Sequence, residues 1–201
     1  MVTTAKAFLQ QGLQYMQLHA FLARRLVHAG YVDVQLFRTP IGTRVVIFAD
    51  RPAMVIGRRG ANVRELQELL QSKFGLENPQ IDVIEVANPD LNAKVVAYGI
   101  ARAMARGIKF RRAAFVALRR VMEAGARGVE VVISGKLTSQ RARFERYRAG
   151  VVYKSGMPRE VVDEATVHVL LKPGMYGVKV RIMPPVEVPG TIKLTEGGGV
   201  G

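Results

Sequence analysis

The chain has 201 residues, 49% of them hydrophobic, a formal net charge of +14 and an isoelectric point near 10.6. That length and apolar content describe one or two folded domains and exclude a disordered polyelectrolyte. Cysteine is absent, which excludes disulfides, zinc ribbons and thiol catalysis. Arginine supplies 21 of the 30 basic residues; its planar fork favours phosphate and base recognition, so nucleic acid is the first expected partner and an anionic membrane the second.

The opening segment Met1-Val2-Thr3-Thr4-Ala5-Lys6 has no long apolar stretch of the secretory kind, and no apolar run reaches membrane-spanning length, so a cytoplasmic protein is expected. Leu9, Leu13, Met16, Ala20, Ala23 and Val27 recur at helical spacing and predict an amphipathic helix over residues 6–29, ended by Gly30. Tyr31 to Arg38 reads as a strand, Thr39-Pro40-Ile41-Gly42 as its break, and Thr43 to Ala49 as a second strand rich in β-branched residues. Asp50 and Pro52 start a very short helix that runs into Gly57. Val63, Leu66 and Leu70 line a helix that stops near Gly75, and Asn78-Pro79 precedes a strand from Gln80 to Val86.

The second half begins at an Asn88-Pro89-Asp90 joint, with Asn92 as the cap of a helix over residues 92–108. Arg102, Arg106 and Lys109 fall at i, i+4 and i+7 and are expected on one face of it. Phe110 to Ala124 is the next helix, buried through Phe115, Leu118 and Met122, with Arg112, Arg119 and Arg120 pointing away and Gly125 and Gly128 ending it. Gly128 to Ser134 alternates as a strand with Val129, Val131 and Ile133 on one face. Gly150 to Lys154 is expected as a short strand. Ala165 to Leu171 and Val178 to Met183 form a hairpin around residues 172–177, with Lys179 and Arg181 facing out. Three prolines and a triple glycine make an irregular tail.

Charge is not spread along the chain. Residues 1–90 carry 10 basic and 8 acidic side chains, residues 91–160 carry 16 and 4, and residues 161–201 carry 4 and 4. The net excess therefore sits in the middle third as a one-sign band, the pattern of a phosphate footprint and not of a mixed solubilising surface.

Three motifs carry chemistry. Gly57-Arg58-Arg59-Gly60 follows apolar Val55-Ile56 and opens a helix bearing Arg64. Glycines there admit positive φ and close approach of a ligand, and the helix points free N–H groups back at the turn. This is the shape of a KH-domain loop, which clamps single-stranded nucleotide backbone. The alternatives are a plain helix–helix turn with solvated arginines and a KH fold whose loop no longer grips RNA. Arg111 and Arg112 open a helix, where its dipole disfavours cations, which points to a role other than helix stability. Lys136, Arg141, Arg143, Arg146 and Arg148 make a basic loop or short helix after a strand, without the spacing of a nucleotide-hydrolysing phosphate loop. His19, His28 and His168 have no metal-ligand spacing, and Ser134, Asp163 and His168 form a triad only on paper. No catalysis, cofactor or metal is expected.

With these residues assembled, the chain resembles the family of small-subunit ribosomal protein three, the universal KH-domain proteins of the ribosomal head. The resemblance spans about residues 5–185 and rests on the Gly57–Gly60 loop, the Arg111-Arg112-Ala113 helix start, the run from Gly125 to Leu137 and the Gly177-Val178-Lys179-Val180 strand. The opening lacks the Gly-Gln-Lys type of start of bacterial members and the tail lacks the long eukaryotic extension, which makes the resemblance archaeal. It implies an α+β fold: a type II KH domain over residues 1–90, a C-terminal α/β domain over residues 91–185 with a mainly antiparallel four-stranded sheet on two helices, and a tail over residues 186–201. It implies contacts with small-subunit rRNA and with neighbouring ribosomal proteins ten and fourteen, no membrane and no free homo-oligomer. In the family, basic residues of the second domain line the channel by which mRNA enters; Arg111 and Arg112 match them, with Lys136, Arg141 and Arg143. Rival readings are a free KH regulator of mRNAs and a lysine-dependent DNA lyase.

Overall fold

The computed structural model describes residues 4–39 and 42–186, so Pro40 and Ile41 of the expected turn and nearly all of the Pro/Gly-rich tail lie outside the described residues. The chain divides into two compact units, Met1–Pro89 and Asp90–Gly201, each with its own core.

In the first unit the order is α1 (Thr4–Arg25), β1 (Tyr31–Thr39), β2 (Gly42–Ala49), α2 (Pro52–Ile56), α3 (Ala61–Phe74) and β3 (Gln80–Glu85). β1 and β2 pair antiparallel, β2 and β3 parallel, giving the sheet order β1-β2-β3. The parallel pairing requires a crossover between β2 and β3; α2 and α3 supply it, and the Gly57–Gly60 turn is the joint between those two helices. Gly30 closes the first helical segment in the left-handed region at φ 69°.

The face of α1 differs from the expected one. The core takes Leu18, Leu22 and Leu26, whereas Leu9, Leu13 and Met16 are 61–70% exposed. The helix carries two apolar stripes on opposite sides, and periodicity cannot tell which of them meets the sheet.

In the second unit the order is α4 (Ala93–Ala105), α5 (Phe110–Glu123), β4 (Gly128–Gly135), β5 (Arg143–Gly150), β6 (Asp163–Leu171) and β7 (Gly174–Met183). The sheet is antiparallel throughout in the order β5-β4-β7-β6. One face packs on α4 and α5 through Val129, Val131, Ile133, Val178, Val180 and Ile182; the other face is open to function. Asn92 caps α4, its Oδ1 accepting from the N–H groups of Lys94 and Val95 at 3.0 and 3.2 Å. The Asp163 carboxylate accepts a third N–H, from Ala93 at 2.7 Å, so α4 starts on β6.

Further expectations are corrected in the second unit. α4 stops at Ala105, where Gly107 at φ 87° lets its N–H and that of Ile108 donate back to Met104 and Ala103; Arg106 keeps its place one turn beyond Arg102, its N–H donating to the Arg102 carbonyl at 3.1 Å, while Lys109 lies outside the helix. On α5 the buried residues are Ala113, Ala114, Leu118 and Val121, while Phe115 is exposed. Gly125 at φ 88° ends α5 and Gly128 opens β4, both as expected, but Gly128 takes no part in ending the helix. Residues 143–150, expected as loop or helix, are strand β5, and residues 151–154 are not a strand. The β6–β7 turn is also tighter than expected, with only Lys172 and Pro173 between paired Leu171 and Gly174.

Candidate nucleic-acid interface

The Gly-x-x-Gly loop has the geometry its glycines call for. Gly57 holds φ 72° with ψ −179°, a region closed to other residues, and a Cβ there would lie 2.5 Å from Asn62 Cγ. Asn62 in turn donates from Nδ2 to the Met54 carbonyl at 3.1 Å, which ties α3 to α2 across the turn. Gly60 sits at φ 76°, and a Cβ built on it would have no described neighbour within 4 Å. One glycine makes the turn tight; the other leaves its outer side open. Arg59 adopts φ 54° between them. Arg58, Arg59 and Arg64 are exposed and make no ion pair among the described residues. Three unneutralised guanidiniums around the first turn of a helix suit phosphate.

The second unit presents two basic surfaces. On the helical side, Arg112 and Arg119 are exposed on α5, with Arg106 and Lys109 exposed in the α4–α5 connection and Arg102 half-buried on α4. Arg119 pairs with Glu123 at 3.1 Å. Arg111 is held in a two-point grip by Glu145 of β5, at 3.2 Å from Nε and 3.0 Å from Nη2. Tyr147 donates its hydroxyl to the same carboxylate and packs edge-on against Phe115 with ring centres 5.2 Å apart. The Arg111 hydrogen bond holds the Glu145 carboxyl below its ordinary range, while burial and then the Glu145 hydrogen bond push the Tyr147 phenol up to about 12. Arg111 thus also fastens α5 to the sheet. Arg143, by the two-residue period of β5, lies on the side of Glu145 and Tyr147. Lys136 and Arg141 are exposed in the β4–β5 connection, whose backbone is pinned where Tyr176 donates to the Lys136 carbonyl.

On the open sheet face, register brings Arg148, Glu130, Arg181 and Glu164 into one row across all four strands and Arg146, Val132, Lys179 and Thr166 into the next. Four candidate cations that are far apart in sequence therefore share one surface. Three of them, Arg146, Lys179 and Arg181, are paired, while Arg148 makes no ion pair among the described residues. Glu130 is 1% exposed and lies 2.7 Å from Lys154 Nζ, 3.2 Å from Arg181 Nη1 and 3.7 Å from Arg146 Nε. Glu164 takes Arg181 Nε at 2.8 Å and also pairs with Lys179. Burial penalises the Glu130 charge, but the hydrogen bond and charge of Lys154, with Arg146 and Arg181, outweigh it and hold the carboxyl below its ordinary range. Glu130, Glu145 and Glu164 are the residues that a search for cations misses. A single carboxylate inside the apolar run Gly128 to Ile133 was the readable signal for the first of them.

The paper triad does not assemble. Ser134 and His168 flank Gly177 on the open face, but Asp163 sits at the other end of β6 with its carboxylate committed to Ala93. Among the described residues no acidic, histidine or cysteine cluster could hold a metal.

Comparison with known proteins agrees in both units. A KH domain model matches residues 17–91, and a model described as ribosomal protein S3, C-terminal domain, matches residues 100–182. Small ribosomal subunit protein uS3 of Thermofilum pendens is 62% identical over 193 residues, covering 96% of each chain. The uS3 proteins of Sulfurisphaera tokodaii and Pyrobaculum calidifontis are 48% and 52% identical over 98% and 89% of this chain, and over 88% and 85% of their own lengths. A KH unit with a Gly-x-x-Gly joint, a four-stranded second unit and relatives matched along nearly their whole length make this chain a member of the small ribosomal subunit protein uS3 family, in its archaeal form.

Proposed function

We propose that the chain is a non-enzymatic constituent of the small ribosomal subunit that binds small-subunit rRNA in the head through both of its units and forms part of the channel by which mRNA enters. The observation that carries the rRNA reading is the Gly57–Gly60 loop, with its open outer side and three arginines lacking carboxylate partners among the described residues. In support of the channel reading, Arg112 stands exposed beside a two-point-anchored Arg111 at the start of α5. The mechanism is electrostatic and geometric: arginines neutralise phosphates, and within each unit the folded core fixes the spacing of its own arginines. Protein neighbours, with ribosomal proteins ten and fourteen as the family expectation, find a suitable surface on α1. Residues 7–23 carry no charge in a chain of net charge +14, and Phe8, Leu9, Leu13 and Met16 are exposed there. Such a stripe suits protein and not phosphate. The place of action is the cytoplasmic ribosome, and no described helix is long and apolar enough to cross a membrane.

The test compares two double variants, both in exposed positions. Arg58→Ala with Arg59→Ala is expected to lower affinity for a head-domain rRNA fragment and to reduce the slope of log affinity against log salt by about 1–2. Arg111→Ala with Arg112→Ala is expected to co-migrate with small subunits on a gradient yet translate structured messages worse than unstructured ones. An unchanged salt slope would remove the loop from the rRNA interface, and equal translation of both messages would remove the channel role.

A further inference from the structure

The open sheet face holds a polar cavity of about 230 Å³ lined by Tyr153, Lys154, Arg159, Val162, Glu164 and Arg181. Lys154 and Arg159 belong to none of the basic motifs that mark the chain as RNA-binding. Two of the three cations around the cavity, Lys154 and Arg181, are fixed before any ligand arrives. Buried Glu130 anchors Lys154 at 2.7 Å and Arg181 at 3.2 Å, and Glu164 anchors Arg181 a second time at 2.8 Å. The anchoring leaves donors over. Arg181 uses Nε and Nη1, so Nη2 has no partner among the described residues; a lysine with one acceptor keeps two N–H bonds; Arg159 makes no ion pair there at all. Five cations (Arg146, Lys154, Arg159, Lys179 and Arg181) face two anchoring carboxylates, a local excess of three positive charges. The other acids in the neighbouring sequence are Glu160, which is exposed, and Asp163, whose carboxylate is occupied by the α4 N-terminus. The volume lies below the roughly 300 Å³ at which small-molecule sites begin, so a phosphate group fits the space better than a whole nucleotide.

We propose that Lys154, Arg159 and Arg181 form a pocket for one backbone phosphate of RNA, and that Glu130 is the positioning residue that sets the spacing of Lys154 and Arg181. The proposal rests on the rRNA-binding function above. It separates from simple charge attraction because replacing Glu130 by a neutral residue makes the face more positive. Attraction alone then tightens binding, whereas loss of positioning weakens it.

The experiment uses the full chain and a head-domain rRNA fragment carrying a methylphosphonate at one position at a time. Wild type is expected to show a discrete phosphate whose neutralisation weakens binding and which is distinct from those lost with Arg58→Ala and Arg59→Ala. In Lys154→Ala with Arg159→Ala that one sensitivity disappears, affinity drops about tenfold or more, and the salt slope falls by about 2. Glu130→Gln, checked for a native circular dichroism spectrum, is expected to lose the same sensitivity despite its added net positive charge. A double variant that keeps the wild-type interference pattern and slope overturns the pocket while leaving the rRNA function intact. Wild type that binds the fragment without salt dependence overturns both. Inorganic phosphate that shifts the Lys154 and Arg159 signals at concentrations where it does not compete with the fragment overturns the backbone assignment in favour of free phosphate.

Discussion

Gly57 and Gly60 bracket the same turn yet serve it differently, and their substitution separates the two roles. At Gly57 a side chain meets both a closed backbone region and the Asn62 side chain at 2.5 Å; at Gly60 it meets open space and only the left-handed φ. Gly57→Ala is expected to destabilise the first unit by about 2–3 kcal/mol and Gly60→Ala by about 1 kcal/mol. Urea unfolding of the two variants checks the order, and equal midpoints would contradict it. RNA affinity should fall further for Gly60→Ala than its stability loss accounts for, because a methyl there stands on the outer side of the turn proposed above to receive RNA. Both glycines were legible in the sequence, since a Gly-x-x-Gly between an apolar pair and a helical run marks a tight, ligand-accessible turn. Glu130 was legible only as an oddity. Its three cationic partners come from β5, β7 and the segment after β5, and a linear reading cannot pair residues that meet only through sheet register.

At the scale of elements, the order of helices and strands, β5 excepted, followed from punctuation by glycine, proline and Asn92, while the choice of buried face did not. α5 offered Phe115, Leu118 and Met122 at helical spacing; the core instead takes small Ala113 and Ala114 with Leu118 and Val121, because the helix lies close on the sheet. Phe115 is left 60% exposed against Tyr147. Leu118→Ala should therefore cost about 3 kcal/mol and Phe115→Ala less than about 1.5 kcal/mol, read as the shift in urea midpoint. A larger loss at Phe115 would restore the sequence-based face. β5 escaped notice because Arg143-Phe144-Glu145-Arg146-Tyr147-Arg148 has charges on both faces. A strand rule that counts apolar alternation is blind to an edge strand whose partners are Arg111 on one side and Glu130 on the other.

For the molecule as a whole, the charge division read from the sequence has a counterpart in acid sensitivity. Glu130, Glu145 and Glu164 all lie in the second unit and all hold carboxyl pKa values below the ordinary 4.5. A depressed pKa contributes stability that is complete above the unfolded-state value and is lost as pH falls through the folded one. The second unit is expected to keep its melting temperature from about pH 7 to about pH 5 and to lose it progressively below about pH 4.5, with part of that dependence absent in Glu130→Gln. Calorimetry across this range checks it; a flat profile to about pH 3 would show that the ion pairs add nothing to the fold.

Strand order also sets a timetable. β3 completes the first sheet by Glu85, so the unit that carries the Gly57–Gly60 loop has all its strands early in synthesis. In the second sheet β4 takes β7 as a neighbour, from Gly128 opposite Met183 to Ser134 opposite Gly177, and so waits some forty further residues for its central partner. A nascent chain halted before Gly174 would hold one finished unit and another with a bare apolar edge at Val129, Val131 and Ile133. Unpaired edges of that kind recruit other chains. The moment of greatest hazard for this protein falls late, during the emergence of its last strand, when the first unit can already be holding RNA.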